Sequence, residues 1–178
     1  MTRIRKAYTY LSYTQEIGPD TIYAPTAGAA RSDIFFALMD SWGLRFGDCL
    51  KLDIEIRRNP LHDVTLPDRH PLAAELPAED LHIITHAFGG TGPNAGYRDH
   101  FFTAATDPKL MRLAAIGLFD RGASLDSRSY PNGSAYFTLT DLGRAVAAGE
   151  QRLYDLDIEI RHAERLKRKA ARRQAEAA

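Results

Sequence analysis

Few side chains in this sequence are spaced for covalent or metal chemistry. His82 and His86 lie four residues apart on one face of a predicted helix, the spacing of two metal ligands. The residues between them, Ile83-Ile84-Thr85, include no glutamate of the zinc-protease kind, and a third ligand would have to come from His100. A helical histidine pair without those companions is ordinarily structural. His62, Asp63, Asp68 and His70 gather in a stretch that also holds Pro60, Pro67, Pro71 and Pro77, where loose spacing makes a poor metal cage. The Gly89 to Gly96 segment ends in no Lys-Ser or Lys-Thr pair and follows no clear strand, so it lacks the marks of a phosphate-binding loop. Cys49 is the single cysteine; it excludes an internal disulfide and a cysteine-rich zinc site, and reads as a small buried apolar residue. No metal, no cofactor and no catalytic set are expected, and the chain reads as a binding protein, not an enzyme.

Cationic side chains are the better candidates. Lys plus Arg and Asp plus Glu both number 23, so the formal net charge is zero. The distribution is uneven, because residues 161–178 hold seven Arg or Lys against two Glu. A basic end thus sits on a mildly acidic body. There Lys167, Arg168, Lys169, Arg172 and Arg173 could hold nucleic-acid phosphates by counterion release; a solvated terminal helix explains the same run. Upstream, Lys109 and Arg112 are expected to point outward from a helix toward phosphates or base edges. Arg121 and Arg128 lie in or beside a hairpin loop, with Arg98 in support. Ordinary solvated charge is the simpler account of each. Tyr8, Tyr10, Tyr13 and Tyr23 could stack bases, although a half-exposed sheet rich in tyrosine needs no ligand.

The elements that must position these residues follow from periodicity. Ile4 to Thr14 reads as a strand and Thr21 to Ala24 as a short return strand. A helix is predicted from Ala27 to Trp42, capped by Thr26 and ended by Gly43, with Ile34, Leu38 and Trp42 on its inner face. Leu50, Leu52, Ile54 and Ile56 alternate with charged residues and predict a strand. The prolines of residues 59–79 predict an extended connection. Asp80 is expected to cap a helix through Phe88, Tyr97 to Thr103 to form a short helix, and Asp107-Pro108 to open another with Leu110, Leu113 and Ile116 inward. Tyr136 to Leu139 reads as a strand, Thr140 as the cap of a helix, and Leu153, Leu156, Ile160 and Ala163 as the apolar stripe of a last helix. No apolar run reaches the roughly eighteen residues that span a bilayer, and Tyr8 to Gln15 is too polar for a signal-peptide core, so a cytoplasmic location is expected.

The order Leu110-x-x-Leu113-x-x-x-Gly117-Leu118-Phe119, a polar loop, then Tyr136-Phe137-Thr138-Leu139-Thr140-x-x-Gly143-x-Ala145 resembles winged helix-turn-helix domains, regulators of multidrug-resistance type among them. It covers residues 110–145 closely and 80–149 loosely. The resemblance implies a helix, a β-ribbon wing and a closing helix, with double-stranded DNA as partner. A fainter likeness, through Tyr97-Arg98-Asp99-His100-Phe101-Phe102-Thr103, Arg31, Leu38, Phe46-Gly47-Asp48 and Ile56-Arg57-Arg58, is to small uncharacterised phage and prophage proteins, and implies no chemistry.

The expected architecture is therefore α+β. A strand-helix-strand unit covers 1–58, a Pro-rich connection 59–79, a winged-helix-like module 80–149 and a basic helix or tail 150–178. Two functions fit: a DNA-binding regulatory or architectural factor, of phage or prophage kind, or a protein-protein adaptor of assembly or anti-defence type. Leu153, Leu156 and Ile160 could form a homodimer seam in either case.

Overall fold

The computed structural model describes residues 3–13, 16–127 and 130–177. The chain divides into two compact units: Arg3–Thr65 with Leu153–Ala178, and Leu66–Arg152. Both mix helix and strand, as the patterning predicts for an α+β protein.

In the first unit, β1 (Arg3–Arg5), β2 (Ala7–Ser12) and β3 (Ile17–Tyr23) precede α1 (Ala27–Trp42), α2 (Phe46–Cys49), β4 (Glu55–Arg58) and β5 (Val64–Leu66). An antiparallel sheet has the order β3-β2-β4, with Tyr8 opposite both Ile22 and Arg58. Thr26 accepts from the Ala29 amide at 3.1 Å, and Gly43 at φ 65° closes α1. Ile34, Phe35 and Leu38 of α1 pack with Cys49 and Ile54 against Tyr10, Ile22 and Ile56 of the sheet.

Three expectations change here. The strand predicted from Leu50 is confined to Glu55–Arg58, because Phe46–Cys49 is helical and the amides of Leu50 and Leu52 bond back to Phe46 and Cys49. That turn seats Cys49 fully inside, its Sγ 3.8 Å from the Phe35 carbonyl, and leaves Leu50 62% exposed. The Pro-rich stretch is ordered: Pro60–His62 and Pro71–Ala74 are single 3₁₀ turns, and β5 pairs with β1. Proline presets the φ that such turns need. The last helix, α6 (Leu156–Ala177), belongs to the first unit and is seated there by Ile158, which is 7% exposed. The Leu156 and Ile160 stripe stays about half exposed.

The second unit contains α3 (Ala78–Ala87), β6 (His100–Ala104), α4 (Pro108–Ala115), β7 (Phe119–Arg121), β8 (Leu125–Ser127), β9 (Tyr130–Leu139) and α5 (Asp141–Gly149). The sheet has the order β6-β9-β7, and β8 also pairs with β9. Every pairing is antiparallel. Asp107 caps α4, accepting from Lys109 N and Leu110 N, and Thr140 caps α5, accepting from Gly143 N at 3.0 Å. Leu110, Leu113, Leu118, Phe119, Phe137, Leu139 and Val146 are essentially inaccessible and share one core with Ile83 and Ile84.

Tyr97 to Thr103, expected to be helical, instead contributes β6, with Phe101 opposite Phe137 and Thr103 opposite Ala135. The aromatic and β-branched run suits a pleated surface, and β9 offers a ladder that a helix there would leave unpaired. Nor does Asp80 cap α3; Pro77 holds the cap position without a side-chain hydrogen bond, and Asp80 is carried into the first turn.

Gly143 is where α5 touches the start of the ribbon. A Cβ there would stand 2.2 Å from the Leu118 carbonyl oxygen and 3.0 Å from Leu139 Cδ2. Helix propensity alone makes Gly to Ala favourable by about 1 kcal/mol. The clash is with backbone and outweighs that gain, so Gly143→Ala should lower stability by about 1–3 kcal/mol, seen as a lower urea midpoint at unchanged slope. Gly47→Ala, where a Cβ meets nothing within 4 Å, should not destabilise.

Candidate functional site

Lys109 and Arg112 sit in α4, whose N-terminal turn is held by Asp107. The expectation that both point freely outward does not hold. Lys109 Nζ pairs with Glu79, and Arg112 Nη2 donates to Asp80 Oδ1 at 2.6 Å. Glu79 and Asp80 occupy the first turn of α3, where backbone N–H groups and the helix dipole favour negative charge. Asp80 is 2% exposed. A carboxylate so enclosed needs a partner, and Arg112 supplies it. The hydrogen bond from Lys109 holds the Glu79 carboxyl below its ordinary pKa and, reciprocally, raises that of Lys109. From the sequence Asp80 is expected only as a helix cap and Glu79 is not singled out; two acids at the start of a helix are the available signal.

Around α4 the connections are short. It is the one helix between β6 and β7, and after Gly117 at φ 80° the chain enters β7 directly. Arg121 ends that strand, exposed, opposite Phe137. Arg128 lies outside the described residues.

The basic end is a helix. Arg161 anchors it: Nη2 donates to Asp33 Oδ1 of α1 at 2.6 Å, and its guanidinium lies 4.7 Å from the Phe36 ring centre. Burial raises the Asp33 pKa, and the charge of Arg161 opposes that rise. Beyond this anchor Arg165, Lys167, Arg168, Lys169, Arg172 and Arg173 are all exposed.

The histidines divide between structural and cleft positions. His62 Nδ1 meets Thr21 Oγ1 at 3.3 Å, and His70 Nδ1 accepts from the Leu72 amide at 3.3 Å. Asp63 accepts from Ala7 N at 2.9 Å and from Arg58 Nη2 at 2.5 Å. The rings of His82 and His86 are 6.2 Å apart. Among the described residues no group of three His, Cys, Asp or Glu is placed to hold a metal ion. His86 instead joins Arg98, His100, Phe101 and Phe102 around a cleft. Its pKa is lowered by burial first, then by the charges of Arg98 and His82. The sequence spacing of Arg98 and His86 gives no hint of this meeting, which the glycine-rich loop creates.

Among the described residues, no helix is long and apolar enough to cross a membrane. Comparison with protein-family models, curated proteins and solved structures gives no match.

Arg112→Ala should cost about 1–3 kcal/mol, because it strands the Asp80 carboxylate, and Asp80→Asn in that background should recover part of the loss. Lys109→Ala, at a solvent-exposed pair, should leave the urea midpoint unchanged. For His86 the folded pKa lies below the unfolded one, so the unfolded chain binds the proton more readily. The resulting stability is present above about pH 6.5 and lost as pH falls below it. His86→Gln should flatten this loss in urea titrations between about pH 7.5 and 5.

Proposed function

We propose that the protein binds double-stranded DNA mainly through phosphate contacts, as a regulatory or architectural factor, and is not an enzyme. The exposed cationic run of α6 carries this reading. Arg165, Lys167, Arg168, Lys169, Arg172 and Arg173 lie within nine residues of a helix whose 22 residues extend about 33 Å, close to one turn of duplex. The winged-helix-like order of α3 to α5 supports the same partner. Lys109 and Arg112 are already held by Glu79 and Asp80, which favours sequence-tolerant binding over base reading through α4. The faint likeness to phage and prophage proteins fits a factor of that origin. A homodimer through Leu153, Leu156 and Ile160 is compatible with this reading and would double the phosphate contacts.

The adaptor reading draws on a different observation. Phe36, Trp42, Phe46 and Leu50 of the first unit are 42–62% exposed, more large apolar surface than a short helical segment ordinarily leaves bare.

Fluorescence anisotropy with a labelled duplex separates the two. About five neutralised phosphates predict a log–log salt slope near −4.5, so affinity should fall about 500-fold between 50 and 200 mM salt. Replacing Lys167, Arg168, Lys169, Arg172 and Arg173 with Ala should abolish most binding, whereas Lys109→Ala should change it little. Absence of binding to any duplex at low salt would remove this function and leave the adaptor.

A further inference from the structure

The cleft beside α3 has the features of a second site, one that does not depend on α6. His86 of α3, Arg98 and His100 at the entrance to β6, and Phe101 and Phe102 of β6 line a volume of about 240 Å³. The glycine-rich loop delivers Arg98 to it. Gly89 and Gly90 adopt φ of 90° and 99°, Gly90 N donates to the Thr85 carbonyl at 2.8 Å, and Gly96 N donates to the Phe88 carbonyl at 2.7 Å. The Tyr97 ring occupies the space where any Cβ on Gly89 would stand, 2.5 Å away. The loop is thus folded back onto the C-terminal end of α3, and Arg98 follows it.

Arg98 Nε is enclosed and has no hydrogen-bond partner among the described residues. An enclosed guanidinium donor without an acceptor is uncommon in a folded chain and calls for an acceptor. His86 is near enough for the charge of Arg98 to disfavour its protonation, and His82 adds to that effect. A nearby carboxylate, Asp99, has Oδ1 3.3 Å from His100 Nδ1 and Oδ2 3.6 Å from Arg144 of α5. From β9, Tyr136 packs its ring on His100 and Phe102, with centroids 5.3 and 4.7 Å apart. On the face that His86 shares with Phe101, their ring centroids 5.4 Å apart, the cleft therefore combines donors, cationic charge and one aromatic wall. His100, Phe102 and Tyr136 stack on the opposite face of β6.

We propose that this cleft binds a small organic phosphate, its oxyanion held by Arg98 with His86, and its apolar body resting on Phe101, on the face of β6 that His86 packs against. A planar guanidinium recognises phosphate oxygens in pairs, and imidazoles become better donors when an anion arrives to favour their protonation. Size argues for more than inorganic phosphate, since a cavity of about 150 Å³ already takes a benzene. The recessed position of Arg98 Nε favours an end-on anion over the phosphate of a duplex.

The test follows the imidazole resonances of the full-length protein by NMR at fixed pH and matched ionic strength. Phenyl phosphate, inorganic phosphate and a short duplex are titrated separately. The His86 signal should shift and saturate, and His86 should titrate at higher pH in the complex. Phenyl phosphate should bind about tenfold more tightly than inorganic phosphate, the gain expected for burying one apolar ring. Arg98→Gln should weaken phenyl phosphate at least about tenfold while thermal unfolding stays cooperative, and Arg98→Lys should restore part of it. Linear, unsaturated shifts up to roughly 10 mM phenyl phosphate, or an unchanged response in Arg98→Gln, would overturn the proposal. So would saturation by duplex at lower concentration than by phenyl phosphate, which would assign Arg98 to DNA. Because α6 takes no part, a protein that fails to bind duplex through α6 can still pass this test.

Discussion

Strand β9 is the constraint on which the second unit depends. Its residues pair with β6 on one edge and with β7 and β8 on the other. Ala135, Phe137 and Leu139 face inward at 0–1% exposure, while Tyr136 between them is about half exposed. A slip of one residue would put Tyr136 in the core and Phe137 outside, so the register is strongly specified. The same strand sets the geometry around it. Leu139 N donates to the Asp99 carbonyl at 2.7 Å, tying the entrance of β6 to the end of β9, and Thr140 Oγ1 donates to the Gly117 carbonyl at 2.6 Å. The cleft and the start of α5 are thereby fastened to one ladder.

Electrostatics then decide which cations remain exposed. Asp80 is drawn into the core by its place in the first turn of α3, and a buried carboxylate there requires Arg112. The ion pair leaves α4 with less positive charge facing water than its sequence implies. In the first unit Asp33 captures Arg161 in the same manner, and this pairing orients α6 on α1. Past that point α6 continues with Arg165 to Arg173 in solvent.

Much of the scaffold was legible in the chain. Thr26 and Gly43 bound α1, Asp107-Pro108 opens α4, Gly117 turns into the ribbon and Thr140 caps α5. These signals work because each acts within a few residues through one hydrogen bond or one backbone angle. The alternation from Leu50 to Ile56 misled for a complementary reason. A short apolar period of two is compatible with a turn followed by a strand, and the burial of Cys49 beside Phe35 favoured the turn.

Local chemistry in the sequence was therefore enough to set the caps of α1, α4 and α5, the turns at Gly43 and Gly117 and the basic character of the last helix. Tertiary packing alone decided that residues 100–104 are a strand, since their ladder comes from β9, some thirty residues away along the chain. It also decided that Lys109 and Arg112 face Glu79 and Asp80, and that Arg98 meets His86 across a loop of glycines. The physical reason is common to all three. Strand pairing, burial of a charge and convergence of side chains on a cleft depend on partners distant in sequence, whereas a cap or a turn carries its partner with it.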